Sequence, residues 1–119
     1  MMKLEDLLLH QTDLVMLPDG ETLFKEGEAG DTMYVLMSGT ADISVKGRVV
    51  EKATSGAILG ELALIDNSPR SANVVATSTC NLLAINTERF TELVREVPGF
   101  PMYVMQSMAA RLRRMGALL

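Results

Sequence analysis

Gly20-Glu21-Thr22-Leu23-Phe24-Lys25-Glu26-Gly27-Glu28-Ala29-Gly30-Asp31-Thr32-Met33-Tyr34-Val35-Leu36-Met37-Ser38-Gly39 decides how the rest of the chain is read. Two apolar runs, Thr22 to Phe24 and Met33 to Ser38, are cut by glycine-bearing polar segments, the pattern of short strands joined by tight turns. Turn chemistry accounts for the glycines at 20, 27, 30 and 39, which permit positive φ at such corners. The same rhythm continues outward. Leu14 to Leu17, Ala41 to Val45, Val49 to Ala53, Ala72 to Ala76 and Asn81 to Ile85 are further candidate strands, with turns at Pro18-Asp19-Gly20, Ser38-Gly39 and Lys46-Gly47. So many short strands predict a mainly β fold, a sandwich or barrel with jelly-roll connections.

Helices flank this β region. Lys3 to His10 reads as a short amphipathic helix with Leu4, Leu7 and Leu8 on one side. After Asn86 the apolar period changes from two to about 3.6. Asn86 or Thr87 is placed to cap a helix carrying Phe90, Leu93, Val94 and Val97, which Pro98-Gly99 stops. A second helix is predicted from about Pro101, with Val104, Met105, Met108, Leu112 and Met115 at 3- and 4-residue steps.

The candidate chemistry lies in Gly60-Glu61-Leu62-Ala63-Leu64-Ile65-Asp66-Asn67-Ser68-Pro69-Arg70-Ser71-Ala72. A glycine at a strand-to-helix transition is followed by a carboxylate, four apolar residues, a polar turn, and then Pro-Arg-Ser-Ala. Free N–H groups at a helix start attract an anion. Arg70 can return across the turn to fork onto phosphate oxygens, which its planar donors match. Glu61 is an acceptor-only carboxylate that suits sugar hydroxyls. The plainer reading of a Glu and an Arg nine apart is a surface ion pair, which is worth little.

Together the front half and this segment resemble the cyclic-nucleotide-binding domain family, over roughly residues 13 to 115. The resemblance implies a double-stranded β-helix (jelly-roll) barrel with an N-terminal helix, a short cassette helix, and two C-terminal helices acting as hinge and lid. One domain spans 1–119, with the barrel at about 13–86 and the hinge and lid helices at about 87–116. It also implies that Glu61 holds a ribose 2′-hydroxyl and Arg70 the cyclic phosphate. Ser71, Ala72 and the backbone of Gly60, Glu61, Leu62 and Ala63 would be further contacts. Two positions depart from the family pattern: Leu59 stands where an aromatic is common, and Asn73 where Thr is.

Arg111 lies 41 positions after Arg70, much as in channel-type members that place a lid arginine over the base. Stacked on a purine it would contribute roughly 0.5–2 kcal/mol. The plainer reading of Arg111, Arg113 and Arg114 is a solvated basic face near a helix C-terminus. Met108, Leu112 and Met115 are apolar alternatives for the cap, and the same positions offer a short seam for a homodimer.

Composition narrows the function classes. At 119 residues the chain supports one core. It is 48% hydrophobic and 22% charged, as soluble globular proteins are, with 4% aromatics and no Trp. A net charge of −4 argues against nucleic acid as a direct partner. The single cysteine, Cys80, leaves no internal disulfide and reads as a buried thiol in a reducing cytoplasm. No segment resembles a signal peptide or a membrane span. One histidine, His10, is too few for a metal-dependent or nucleophilic enzyme of this strand style. No metal or cofactor is expected beyond the ligand itself.

The expectation is a stand-alone sensor of a cyclic purine mononucleotide, cAMP ahead of cGMP on family frequency. Its partners would be the nucleotide and either a second copy through the C-terminal helix or a protein effector. The alternatives are a nucleotide-free domain used for protein contacts, and a regulatory fragment of a larger kinase, channel or transcription factor.

Overall fold

The computed structural model describes residues 3–8 and 13–116, with residues 8, 115 and 116 as backbone only. In chain order the elements are α1 (Leu4–Leu8), β1 (Asp13–Leu17), β2 (Thr22–Phe24), β3 (Thr32–Ser38), β4 (Ala41–Val45), β5 (Arg48–Ala53) and β6 (Ile58–Leu59). There follow α2 (Glu61–Asp66), β7 (Asn73–Ala76), β8 (Cys80–Asn86), α3 (Thr87–Glu96) and α4 (Phe100–Gly116). The strands pair antiparallel into two four-stranded sheets, β1-β8-β3-β6 and β2-β7-β4-β5. This order is that of a jelly roll.

Burial explains why the central strands are apolar without a break. In the β1-β8-β3-β6 sheet the inner strands β8 and β3 are covered on both faces, while Leu14 and Met16 of β1 stay exposed. Met33 and Val35 of β3, Ile58 of β6 and Leu83 and Ile85 of β8 pack with Leu7, Leu64, Leu93, Val97, Phe100 and Val104 of the helices. On the opposite face Leu36, Leu59 and Leu82 join Leu17, Phe24, Ile43, Val74 and Cys80 between the sheets. A strand buried on both faces needs apolar side chains at odd and even positions alike. In register, Met33 faces Ile85 and Val35 faces Leu83.

Strand β6 was not foreseen: two residues are too few to show a period, and only pairing of Ile58 and Leu59 with Val35 and Tyr34 reveals it. Asn86 caps α3, its side chain accepting from the Arg89 N–H at 2.8 Å. Val94, expected on the buried face of α3, is 40% exposed, because the stripe is narrow and Phe90, Leu93 and Val97 fill it. Helix α4 likewise buries Phe100 and Val104, while Met105 and Leu112 face outward. The expected extension of α1 through His10 falls outside the described residues, as does the Met115 side chain. Among the described residues no helix is long and apolar enough to cross a membrane.

One link joins the two C-terminal helices to each other, and another ties α4 to the β region. Phe90 and Phe100 meet edge to face at 5.6 Å. The Tyr103 hydroxyl donates to the Gly56 carbonyl in the turn between β5 and β6.

Candidate functional site

Arg70 is held at both its backbone and its side chain. Its N–H donates to the Glu28 carbonyl and its own carbonyl accepts from the Gly27 N–H, each at 2.8 Å. These bonds fasten the end of the α2–β7 loop to the turn between β2 and β3. The side chain then runs inward, and its guanidinium carbon lies 4.2 Å from the centre of the Phe24 ring. Nη1 donates to the Gly60 carbonyl at 3.2 Å. Arg70 is only 6% exposed.

Gly30 and Gly60 make the room. A Cβ built at Gly30 would collide with Nε, Cζ and Nη2 of Arg70, and one at Gly60 would collide with Nη1. Gly60 also takes φ +79 as the residue before α2. Gly30 has no positive φ, so the expectation that it serves a turn is corrected here: it is glycine because a guanidinium occupies the place of its side chain.

The charge of Arg70 is poorly matched within the protein. Its Nε is buried without a hydrogen-bond partner. No carboxylate among the described residues pairs with it. Burying a cation without a counter-charge costs several kcal/mol. The Phe24 face offsets about 0.5–2 kcal/mol of that. The site therefore presents a fixed, desolvated cation suited to an anion.

Glu61, the first residue of α2, is 3% exposed and has its own counter-charge. Its carboxylate accepts from Nη1 of Arg111, near the C-terminal end of α4. Arg111 also donates through Nε to Glu51 Oε1 at 3.2 Å, through Nη2 to Glu51 Oε2 at 3.4 Å, and through Nη2 to the Ile58 carbonyl. Glu51, on β5, takes Arg114 Nη2 as well, at 3.0 Å. Burial disfavours the Arg111 charge, but Glu61 and Glu51 outweigh it and hold the guanidinium above its ordinary pKa. Arg111 is thus not part of a solvated basic face, whereas Arg113 is exposed.

The remaining expected residues surround these two charges. Ala63 and Ala72 are buried, Leu62 is 42% exposed, and Ser71 is exposed beside Arg70. The turn leading from α2 to Arg70 is internally braced. Asn67 takes the left-handed conformation (φ 59) and its N–H donates to the Ala63 carbonyl. The Ser68 N–H and hydroxyl both donate to Asp66, and these bonds lower the Asp66 pKa. Asn73 accepts from the Glu26 N–H at 2.8 Å, which ties β7 to the loop that clamps Arg70. Leu59 is buried between the sheets.

Glu51 was missed. In Arg48-Val49-Val50-Glu51-Lys52-Ala53 it reads as an ordinary polar residue of an exposed strand, and it meets Arg111 across 60 residues of sequence. No local signal points to that contact.

The fold is thus a jelly roll whose short helix α2 is flanked by a buried Glu61 and a buried Arg70. Residues 14–97 match the family model of the cyclic nucleotide-binding domain, and the chain belongs to that family. It is 36% identical over 80 residues to a cAMP-dependent protein kinase regulatory subunit of Debaryomyces hansenii, covering 66% of this chain and 18% of that protein. It is 32% identical over 80 residues to the cGMP-dependent protein kinase isozyme 2 of Drosophila melanogaster, covering 67% of this chain and 7% of that protein. The catabolite activator protein of Thermus thermophilus has the same fold, with a TM-score of 0.83 and 27% identity, over 98% of this chain and 58% of that one. The chain therefore spans less than a fifth of the length of these two kinase relatives.

Proposed function

We propose that this domain is a regulatory sensor of a cyclic purine nucleotide, with cAMP ahead of cGMP. Arg70 binds the cyclic phosphate, Glu61 accepts the ribose 2′-hydroxyl, and the Gly60 to Ala63 backbone with Ser71 and Ala72 completes the phosphate contacts. The observation that carries this reading is Arg70 itself, 6% exposed, with an unpartnered buried Nε and no carboxylate partner among the described residues. Family membership supports a cyclic phosphate as the anion. The kinase relatives named for cAMP and for cGMP agree with a cyclic purine nucleotide, and the preference for cAMP is the finer part of the proposal. The role is binding and regulation, not catalysis.

The signal would travel through packing. Leu64 of α2 shares one cluster with Leu93 and Val97 at α3 and with Phe100 and Val104 of α4. A ligand that prefers one position of α2 therefore biases both C-terminal helices, provided its affinity differs between the two positions. The output would be a second copy meeting α4, or a protein effector.

Calorimetric titration of the chain with cAMP and then cGMP tests the reading. Micromolar or tighter binding is expected. Arg70→Ala should weaken it by roughly 2–5 kcal/mol, the cost of losing a desolvated charge partner. Unchanged affinity in a folded Arg70→Ala protein would sink the phosphate assignment. No heat with either nucleotide, in protein shown free of carried-over ligand, would favour a domain used for protein contacts alone.

A further inference from the structure

We propose that Asn73 is a positioning residue for the phosphate site: its side chain takes the place of a strand partner for the loop between β2 and β3, and so fixes Arg70 and Ser71. The proposal rests on the phosphate reading of Arg70 given above.

The pairing of β2 with β7 ends at Phe24 opposite Val74. The chain then turns through Lys25-Glu26-Gly27-Glu28. There the Glu28 N–H donates to the Lys25 carbonyl at 3.1 Å and Gly27 takes φ +87, the type II pattern. The Glu26 N–H takes no part in that turn bond and donates instead to Asn73 Oδ1 at 2.8 Å, across 47 positions of sequence. The Asn73 carboxamide is itself steadied by Ser44, its register partner on β4, with Nδ2 3.4 Å from Oγ and 3.5 Å from the carbonyl. The Lys46 N–H donates to Glu26 Oε1 at 3.1 Å, which joins the same residue to the turn after β4.

Two fastenings thus hold residues 70–73 against residues 26–28. At one end Arg70 exchanges backbone bonds with Gly27 and Glu28, and at the other Asn73 holds Glu26. Between them Ala72 is buried and Ser71 is exposed. With the Asn73 bond gone, the loop pivots on the Arg70 bonds alone. A partly buried N–H left without an acceptor is costly, so the loop shifts to find another partner. Arg70 follows its backbone partners, because its guanidinium is held only by the Gly60 carbonyl at 3.2 Å and the face of Phe24. Apparent affinity then falls with the fraction of molecules whose Arg70 is in place.

The test removes each side of the bond in turn. Asn73→Leu keeps the size and deletes both polar atoms. Glu26→Pro deletes the donor at a turn position that proline favours, and takes the Lys46 contact with it. Each variant should bind cAMP about three- to tenfold more weakly than the natural chain, the scale of one net hydrogen bond. The double variant should lose little more than the weaker single, because both act through one bond. Asn73→Asp keeps the acceptor and, titrated in high salt to screen its charge, should bind within about twofold of the natural chain. The proton resonance of the Arg70 Nε–H, read without nucleotide, reports placement directly, since the Phe24 ring lies against the guanidinium and shifts it. That shift should shrink in Asn73→Leu and Glu26→Pro. A folded Asn73→Leu protein that binds as the natural chain does, or binds weakly with the Nε–H unmoved, overturns the proposal. If Asn73→Leu fails to fold, Glu26→Pro decides by the same two readings. Failure of the natural chain to bind any cyclic nucleotide overturns the phosphate reading, while the Nε–H comparison still decides whether Asn73 positions Arg70.

Discussion

A methyl group at Gly30 has nowhere to go, because the guanidinium of Arg70 already fills that space. Gly27, three residues earlier, differs: its φ is +87 but nothing lies within 4 Å of a built Cβ. The two glycines therefore separate site geometry from backbone strain. Gly30→Ala should displace Arg70 and lower cyclic-nucleotide affinity at least about tenfold, the scale of a misplaced charge contact. Gly27→Ala should cost stability, by about 1–2 kcal/mol for a left-handed non-glycine residue, and leave affinity nearly unchanged. Calorimetry and urea denaturation on the two variants read these effects apart; equal affinity losses would mean that the Gly30 contact does not position Arg70. The string shows four glycines of one kind, and only the fold tells Gly30 from its neighbours.

Among the elements, α3 shows how much a local rule settles. The Asn86 side chain satisfies the Arg89 N–H, which would otherwise lack an intrahelical partner. Asn86→Ala should lower stability by about 1 kcal/mol, read as a shift in the urea midpoint at constant slope. A loss near zero would mean that packing of Leu93 and Val97 alone holds the helix start. The cap, the stop at Pro98-Gly99 and seven of the eight strands within one residue at each end follow from turn residues and apolar runs, and only β6 escapes. Periodicity did less well on the helix faces. It cannot say how wide the buried stripe is, so Val94 shares the apolar period of α3, and Met105 and Leu112 that of α4, although all three are exposed.

The whole molecule is two cores sharing one sheet, and Cys80 reports on the core between the sheets. Its side chain is fully buried, and its Sγ donates to the Thr40 carbonyl at 3.1 Å. Burial raises the thiol pKa above the ordinary 9.0 despite that backbone contact. Alkylation by iodoacetamide at neutral pH should therefore proceed only as fast as global opening allows. The pH dependence has a definite sign. Below about 9.0 both states carry the neutral thiol; above it the unfolded chain ionises first, so this group lowers stability as pH rises toward the folded pKa. Rapid labelling in the native protein, with denaturation showing it still folded, would contradict the placement of Cys80.

The string alone determined the β character, the jelly-roll expectation, the helix order and the family resemblance of the Gly60–Ala72 segment, because apolar period, turn residues and local motifs are written along the chain. Tertiary structure decided which charges meet. Arg70 faces Phe24 across 46 positions, and Arg111 reaches Glu51 across 60. Such contacts depend on the order in which strands stack and on the path of α4 over β5, β6 and α2. Nothing local in the sequence encodes those distances, so the partner of Glu61 and the space at Gly30 exist only once both sheets and the last helix are in place.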